Sequence, residues 1–302
     1  MKDKQSVIES KAMLMGGMVY LTLGVAAWIV YSLSNSEAIL LEGNYNIVNA
    51  LASFIGFYVV SIKNRSTTTF PLGQFIYEAL YSLVKGVLIL GILTAALWEN
   101  GFKIIKFLTR GETHEINTGP IGGLVILSVF LSFGLVRYYK WQNQKIGNRS
   151  SMLVTDTKGA IIDGYLSLFA GGSLLLMIYI GRIFPAVSFL QYIGDALVVL
   201  IFEIIMIKEP IHIIRQNFVE LTGGQMQSEK ERRRIIEIVE LMPREGFEIQ
   251  EIYISKTGSL ILVLLYISGK DIDPEQINEI YRPILQKELC QVYAHANVEI
   301  LI

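Results

Sequence analysis

Eight ionisable side chains lie within long stretches of the chain that are otherwise apolar. They are Glu42, Glu78, Lys85, Asp156, Lys158, Asp163, Asp195 and Glu203. A charged side chain in a membrane-spanning helix costs about 3 kcal/mol on insertion scales, so each of these residues is a candidate for function. Such groups are typical of paths for ions and protons across a membrane.

Polar side chains recur at helical spacing in two of these stretches. One set has the spacing i, i+3, i+4 and i+7 and comprises Glu42, Tyr45, Asn46 and Asn49. Asp156 and Asp163 are seven residues apart, which also puts them on one face of a helix. Two helices with such stripes would bury them against each other or around a water-filled cavity. Because oxygen-rich stripes suit a cation, the pattern indicates a transport site between the two helices.

A structural role is the alternative for each of these residues. Asn and Tyr in spanning helices often only form hydrogen bonds with neighbouring helices. Glu42 and Asp156 are also compatible with positions near the membrane surfaces, where a charge is less costly. Glu78 and Lys85 are seven residues apart and could pair with other charges for structure.

The composition predicts that these stretches span a membrane. The 302 residues are 52% hydrophobic and 18% charged, whereas soluble domains are about 25% charged. A spanning helix needs about 20 mostly apolar residues. Six candidates are predicted, at 12–34, 39–62, 75–97, 119–139, 153–180 and 187–207. Residues 1–207 thus form a predicted membrane domain, and the connector 98–118 opens with an amphipathic segment that suits the membrane interface.

Lys and Arg in the short loops predict the orientation, because they concentrate on the cytoplasmic side. They cluster at the N-terminus and in the second-to-third and fourth-to-fifth loops, which puts both termini in the cytoplasm. The connector 98–118 is an exception, since Lys103, Lys106 and Arg110 lie on the opposite side.

Residues 208–302 have the pattern of a small α+β domain. They hold 11 Lys and Arg against 15 Asp and Glu, whereas residues 1–207 hold 15 against 12. The predicted elements are a helix at 227–242, strands at 247–255 and 259–268, a helix at 273–289 and a strand at 292–302. This order suits helices on one face of a short sheet.

Other classes of protein find little support in the sequence. The single cysteine, Cys290, excludes an intrachain disulfide. Basic residues around Arg233 alternate with acidic ones, as on a solvated helix, so no nucleic-acid partner is expected. The sequence has no nucleophile–base pair and no metal-hydrolase spacing, so we do not expect an enzyme.

Four motifs, in this order, resemble those of the cation diffusion facilitator family. Residues 36–49 are similar to the family's S-x-A-x-L-x-D-G-x-H/D-S-x-x-D run, and residues 70–78 to its H-x-F-G-H-G-x-x-E loop. Residues 155–163 are similar to A-D-x-x-H-x-x-x-D, and Gly194-Asp195 stands where the sixth helix usually has D-P. The resemblance extends over nearly the whole chain.

This resemblance implies six spanning helices, cytoplasmic termini and a C-terminal αββαβ domain of metallochaperone-like fold. It also implies a homodimer, joined through the C-terminal and membrane domains, that exports a divalent metal ion in exchange for protons. The expected partners are the transported cation, a second copy and the lipid bilayer, with no resident cofactor. We expect a multi-pass protein of the bacterial inner (plasma) membrane.

The family's four ligand positions show how this chain departs from its pattern. They fall at Tyr45, Asn49, Gly159 and Asp163. Only Asp163 is a standard metal ligand, because Asn49 and Tyr45 offer neutral oxygens and Gly159 has no side chain. A tight zinc site needs nitrogen, sulfur or carboxylate ligands in a tetrahedron, so it cannot be built from this set. The chain therefore resembles a divergent branch with a degenerate transport-site motif.

The sequence thus predicts a cation efflux transporter with its ion between the second and fifth helices. The expected ligands are Asp163, Asn49 and Tyr45, and Glu42 and Asp156 are the expected residues of a neighbouring ion path. Oxygen ligands favour Mg²⁺, Mn²⁺, Ca²⁺ or a monovalent cation over zinc. The loss of standard ligands leaves an alternative: a relative that does not transport and acts as a membrane dimerisation or partner-binding protein.

Overall fold

The computed structural model describes residues 2–111, 119–183, 190–241, 247–269, 277–293 and 295–301. In these residues, seven helices form the larger part of the fold: α1 (Lys2–Ser34), α2 (Glu37–Ile62), α3 (Ile76–Arg110), α4 (Ile121–Lys145), α5 (Ser151–Ile183), α6 (Leu190–Met206) and α7 (Lys208–Leu221). Among the described residues, four helices, α1 to α4, are long and apolar enough to cross a membrane. The predicted helical membrane domain is therefore confirmed in its type, with four candidate spans.

Two helical hairpins form the body of this domain. α1 packs along α2, and α4 packs along α5. Asn35, with φ 56°, lies in the left-handed region at the turn between α1 and α2, and Asn148, with φ 57°, does so between α4 and α5. A Cβ on Gly24 would lie 2.7 Å from Cδ1 of Ile47 and 3.2 Å from its backbone nitrogen. A larger residue at Gly24 would therefore push α1 and α2 apart.

α3 is longer than the predicted span. Residues 98–110, predicted as a connector with an interfacial segment, instead continue this helix to Arg110. The helix ends at Gly111, which has a left-handed backbone (φ 64°) and donates its N–H to the carbonyl of Phe107. The predicted span and the amphipathic segment therefore belong to one continuous helix, because the end of an apolar run does not have to be the end of a helix.

α7 has no counterpart among the predicted elements. It begins one residue after position 207, where the boundary between two domains is predicted. It packs against α3, where a Cβ on Gly86 would lie 3.0 Å from Ile214 and 3.1 Å from Ile213. At its far end the carboxylate of Glu220 accepts the backbone N–H of Gly258 at 3.1 Å. Burial raises the pKa of Glu220 above its ordinary value, although nearby Lys256 and this hydrogen bond oppose the rise.

Over its described residues, the C-terminal part is a small sheet packed with two helices. Its elements are α8 (Glu229–Glu240), β1 (Glu248–Thr257), β2 (Leu260–Ser268), a π-helical turn (Ile277–Tyr281) that leads into α9 (Arg282–Val292), and β3 (His295–Leu301). β2 is central, antiparallel to β1 and parallel to β3. Ile235 of α8, Val263 of β2 and Leu285 of α9 share one fully buried core. The small C-terminal sheet expected from the sequence is therefore present.

A buried ion cluster joins the first three helices to this sheet. The ammonium of Lys63, directly after α2, contacts the carboxylates of Glu9 on α1 and, at 2.7 Å, Glu78 on α3. Oε2 of Glu78 accepts the backbone N–H of Ser259 at 2.6 Å, and Oε1 accepts its hydroxyl at 3.0 Å. Burial lowers the pKa of Lys63, but the carboxylates of Glu78 and Glu9 raise it by more than burial lowers it. The pKa of Lys63 therefore lies above its ordinary value. The cluster thus holds a lysine in its charged form at the joint between helices and sheet.

We expect Lys63→Ala to lower the thermal stability of the protein. The substitution leaves two buried carboxylates without a counter-charge, which costs about 3–5 kcal/mol when a buried pair is broken from one side. The measurement is the melting temperature of the purified protein in detergent micelles. Lys140→Ala, at an exposed lysine of α4, is the matched control and should melt with the wild type. Equal melting of the two variants would show that the cluster adds no stability.

Candidate functional site

The five predicted site residues are all buried in the helical domain. Glu42, Tyr45, Asn49, Asp156 and Asp163 are each 0% exposed. The structure divides them into two groups along α2 and α5. We call the first the lysine group; it comprises Tyr45, Asn49, Tyr81, Lys85, Asp156 and Gly159. We call the second the oxygen pocket; it comprises Glu42, Asn46, Ser128, Ser132, Asp163 and Ser167.

An ion pair between α3 and α5 forms the centre of the lysine group. The ammonium of Lys85 contacts Oδ1 of Asp156, and the hydroxyl of Tyr81 donates to the same oxygen at 2.8 Å. Both charged side chains are removed from solvent, since Lys85 is 1% and Asp156 is 0% exposed. Oδ2 of Asp156 has no hydrogen-bond partner in the described part of the chain.

The Cβ position of Gly159 is close to both the ammonium of Lys85 and the amide oxygen of Asn49. A Cβ on Gly159 would lie 3.4 Å from Nζ of Lys85 and 3.5 Å from Oδ1 of Asn49. The Tyr45 hydroxyl donates to the carbonyl of Gly159 at 3.0 Å, and the amide nitrogen of Asn49 donates to the carbonyl of Tyr45 at 3.1 Å. The hydrogen bond from the Tyr45 hydroxyl thus joins α2 to α5. Oδ1 of Asn49 has no hydrogen-bond partner within the described residues.

The oxygen pocket is formed by three helices that each present two polar residues four positions apart. The pairs are Glu42 and Asn46 on α2, Ser128 and Ser132 on α4, and Asp163 and Ser167 on α5. A spacing of four residues puts both members of a pair on one face of their helix. Since all six residues are 0% exposed, the pocket is a polar seam enclosed between α2, α4 and α5.

Each carboxylate of this pocket has one oxygen with a hydrogen bond and one oxygen without. Ser132 donates to Oδ2 of Asp163, and Ser167 donates to Oε1 of Glu42 at 2.7 Å. The oxygens without a hydrogen-bond partner among the described residues are Oδ1 of Asp163, Oε2 of Glu42 and Oδ1 of Asn46. Glu42 and Asp163 are close enough that their charges repel when both are ionised. Two buried carboxylates with free oxygens form an arrangement that a cation would neutralise.

The serines of the oxygen pocket are the residues that sequence reasoning missed. Serine carries no charge, and Ser128 and Ser132 lie in a helix that is apolar around them. The available signal is their spacing, which repeats the i, i+4 spacing of Glu42 and Asn46 on α2. Ser128 also faces the carboxylate of Glu42, although it makes no hydrogen bond of ordinary geometry in the described part of the structure.

Two of the other four ionisable residues predicted in the helices have charged partners. Glu78 pairs with Lys63, and Lys158 of α5 lies 3.6 Å from the carboxylate of Glu209 on α7. Glu203 on α6 is buried, and neither of its carboxylate oxygens has a hydrogen-bond partner within the described residues. The side chain of Asp195 lies outside the described part. Across that part, no group of three or more His, Cys, Asp or Glu side chains is arranged to hold a metal ion.

Comparison with known proteins identifies the class. The family model of the cation efflux transmembrane domain matches residues 13–222, which include all seven helices from the fourth turn of α1 onward. The chain therefore belongs to the cation efflux family, the cation diffusion facilitators, as its motifs indicate. It is an integral membrane protein of a family of cation transporters. No curated protein matches the chain in a direct comparison.

Lys85 and Asp156 should depend on each other for stability. Lys85→Met or Asp156→Leu alone leaves one buried charge unpaired, which costs about 3 kcal/mol or more. The double variant removes both charges, so we expect it to melt above at least one of the single variants. Melting in detergent with excess EDTA measures this, since the chelator prevents a metal ion from replacing the lysine. Additive losses in the double variant would mean that the pair contributes no coupling.

Proposed function

We propose that the protein is a secondary transporter that exports a cation bound in the oxygen pocket between α2 and α5. The observation that carries this proposal is Oδ1 of Asp163, which is fully buried and has no hydrogen-bond partner among the described residues. A buried carboxylate oxygen without a partner is costly, so its presence indicates a cationic ligand. Glu42 faces the same space and supplies a second charged ligand.

The remaining predicted ligands take lesser roles in this proposal. Tyr45 uses its hydroxyl for the carbonyl of Gly159, so it supports the helices rather than the ion. Oδ1 of Asn49 is available, but it lies on the side of the lysine group, 3.5 Å from the Cβ position of Gly159. We therefore assign Asp163 and Glu42 to the binding site of the ion, and we leave Asn49 and Asp156 to the lysine group, where Asp156 pairs with Lys85.

The chemistry of the pocket favours a hard cation. Carboxylate, amide and hydroxyl oxygens suit Mg²⁺, Mn²⁺ or Ca²⁺. Two carboxylates match the charge of a divalent ion, and this is the substrate class we propose. Proton exchange follows from the same groups, because a carboxylate of Asp163 that has released its cation can take up a proton in its place. Efflux of the cation would then be coupled to entry of protons.

Transport also requires a complete membrane domain. α5 has 33 residues and α6 has 17, and α7 follows α6 almost directly. We propose that α5 and α6 span the membrane with α1 to α4, which gives six spans and leaves both termini in the cytoplasm. The C-terminal sheet would then be a cytoplasmic, metallochaperone-like αββαβ domain, and two copies would pair through this domain and the membrane domain in a bacterial inner membrane.

We expect purified protein in proteoliposomes to carry one of these cations, and Asp163→Asn to abolish that flux. Flux is measured with an ion-sensitive dye over Mg²⁺, Mn²⁺, Ca²⁺, Zn²⁺, Na⁺ and K⁺, at two imposed pH gradients. Glu209→Gln, at a half-exposed carboxylate of α7, is the control of equal chemistry and should transport like the wild type. Unchanged flux in Asp163→Asn would remove Asp163 from the site.

A second candidate function is supported by the lysine group. Gly159 offers no ligand, and the ammonium of Lys85 lies beside it, which supports a chain whose four family ligand positions do not together hold a metal ion. A relative without transport, which acts as a membrane dimerisation or partner-binding protein, would show this feature. Absence of flux for every ion, from folded and dimeric protein, would favour this second function.

A further inference from the structure

The lysine group contains oxygen atoms of the kind that bind a cation, but the positive charge beside them is a side chain of the protein, Lys85. Asp156 supplies a carboxylate, Tyr81 a hydroxyl at 2.8 Å from that carboxylate, and Asn49 an amide oxygen without a hydrogen-bond partner in the described residues. The positive charge among them is the ammonium of Lys85, in contact with Asp156. A buried carboxylate needs such a counter-charge.

Gly159 is complementary to this lysine. A Cβ at residue 159 would lie 3.4 Å from Nζ of Lys85 and 3.5 Å from Oδ1 of Asn49. An alanine would make an ordinary contact there, but a longer side chain would meet the ammonium. The space beside Asp156 and Asn49 is therefore occupied by the end of Lys85, which comes from a third helix, α3.

We infer that Lys85 is a tethered cation that occupies a metal-binding position formed by Asn49, Asp156 and Tyr81. The lysine neutralises Asp156 and excludes a free metal ion from this position. Removal of its charge leaves a buried carboxylate with one unpartnered oxygen, an amide oxygen and a hydroxyl around an open space. Such a set takes up a divalent cation, because carboxylate and carbonyl oxygens are ligands for hard ions.

The inference concerns binding and does not require that the protein transports. It also assigns a role in specificity to Lys85, because the oxygen pocket is then the one position of the two that is open to an ion. A lysine that serves only to stabilise the helices would differ in one measurable respect. Its replacement would weaken the fold but would create no affinity for metal.

The test is Co²⁺ binding to the full chain in detergent micelles, by calorimetry and by the visible absorption of bound cobalt. All proteins carry Asp163→Asn, which removes the charge of Asp163 from the neighbouring pocket. We expect Lys85→Met and Lys85→Gln each to gain about one equivalent of Co²⁺ per chain over the parent. Lys85→Arg, which keeps the positive charge, should gain none, and Lys85→Met/Asp156→Asn should lose the gain.

Gly159→Asp provides the second arm of the test. With Lys85 present, the new carboxylate should pair with the ammonium and add no metal binding. In Lys85→Met/Gly159→Asp we expect Co²⁺ to bind about tenfold more tightly than in Lys85→Met, as a further ligand of the same ion. Lys85→Gln can donate a hydrogen bond to Asp156 and so keeps the test possible if Lys85→Met does not fold. Folded Lys85→Gln and Lys85→Met/Gly159→Asp proteins that bind no more Co²⁺ than the parent would overturn the inference.

Discussion

Charge inside a helical bundle that excludes water must be compensated within the bundle, and most of this structure follows from that constraint. Lys63 lies between the carboxylates of Glu9 and Glu78, all of them 0% exposed. Lys85 lies against Asp156 in the same way. Lys85 on α3 pairs with a carboxylate of α5, and Lys63, directly after α2, pairs with carboxylates of α1 and α3. The ion pairs therefore join neighbouring helices at fixed points, in addition to the less directional packing of apolar side chains.

The same constraint distinguishes the lysine group from the oxygen pocket. On the side of Asp156 the charge of the carboxylate is balanced by Lys85, and the helices are joined by the bond from Tyr45 to Gly159. On the side of Asp163 no lysine or arginine of the described residues pairs with the carboxylate, and serine hydroxyls supply single hydrogen bonds instead. A hydroxyl offers a dipole and not a charge, so the serines alone do not balance an ionised Asp163, and in the proposed function a mobile cation does so.

The helices and the faces of this bundle could be predicted from the sequence, but the pairings could not. Apolar runs of about 20 residues locate α1 to α4, and the i, i+4 spacing of Glu42 and Asn46 correctly indicates a buried polar face. Lys85 and Asp156 are separated by 71 residues, and their contact depends on how α3 and α5 pack, which no local pattern specifies. α7 is amphipathic rather than apolar, so a search for long apolar runs does not find it, although it packs along α3.

One face of α3 connects the sheet to the lysine group. Glu78, Tyr81 and Lys85 follow one another at i, i+3 and i+7, so they lie on the same side of the helix. At a rise of about 1.5 Å per residue, about 10 Å separates Glu78 from Lys85. The first of these residues binds Ser259 in the turn between β1 and β2, and the last binds Asp156 on α5. Because two turns of helix are rigid on this scale, a shift of the sheet that carries Glu78 with it also moves the ammonium that neutralises Asp156.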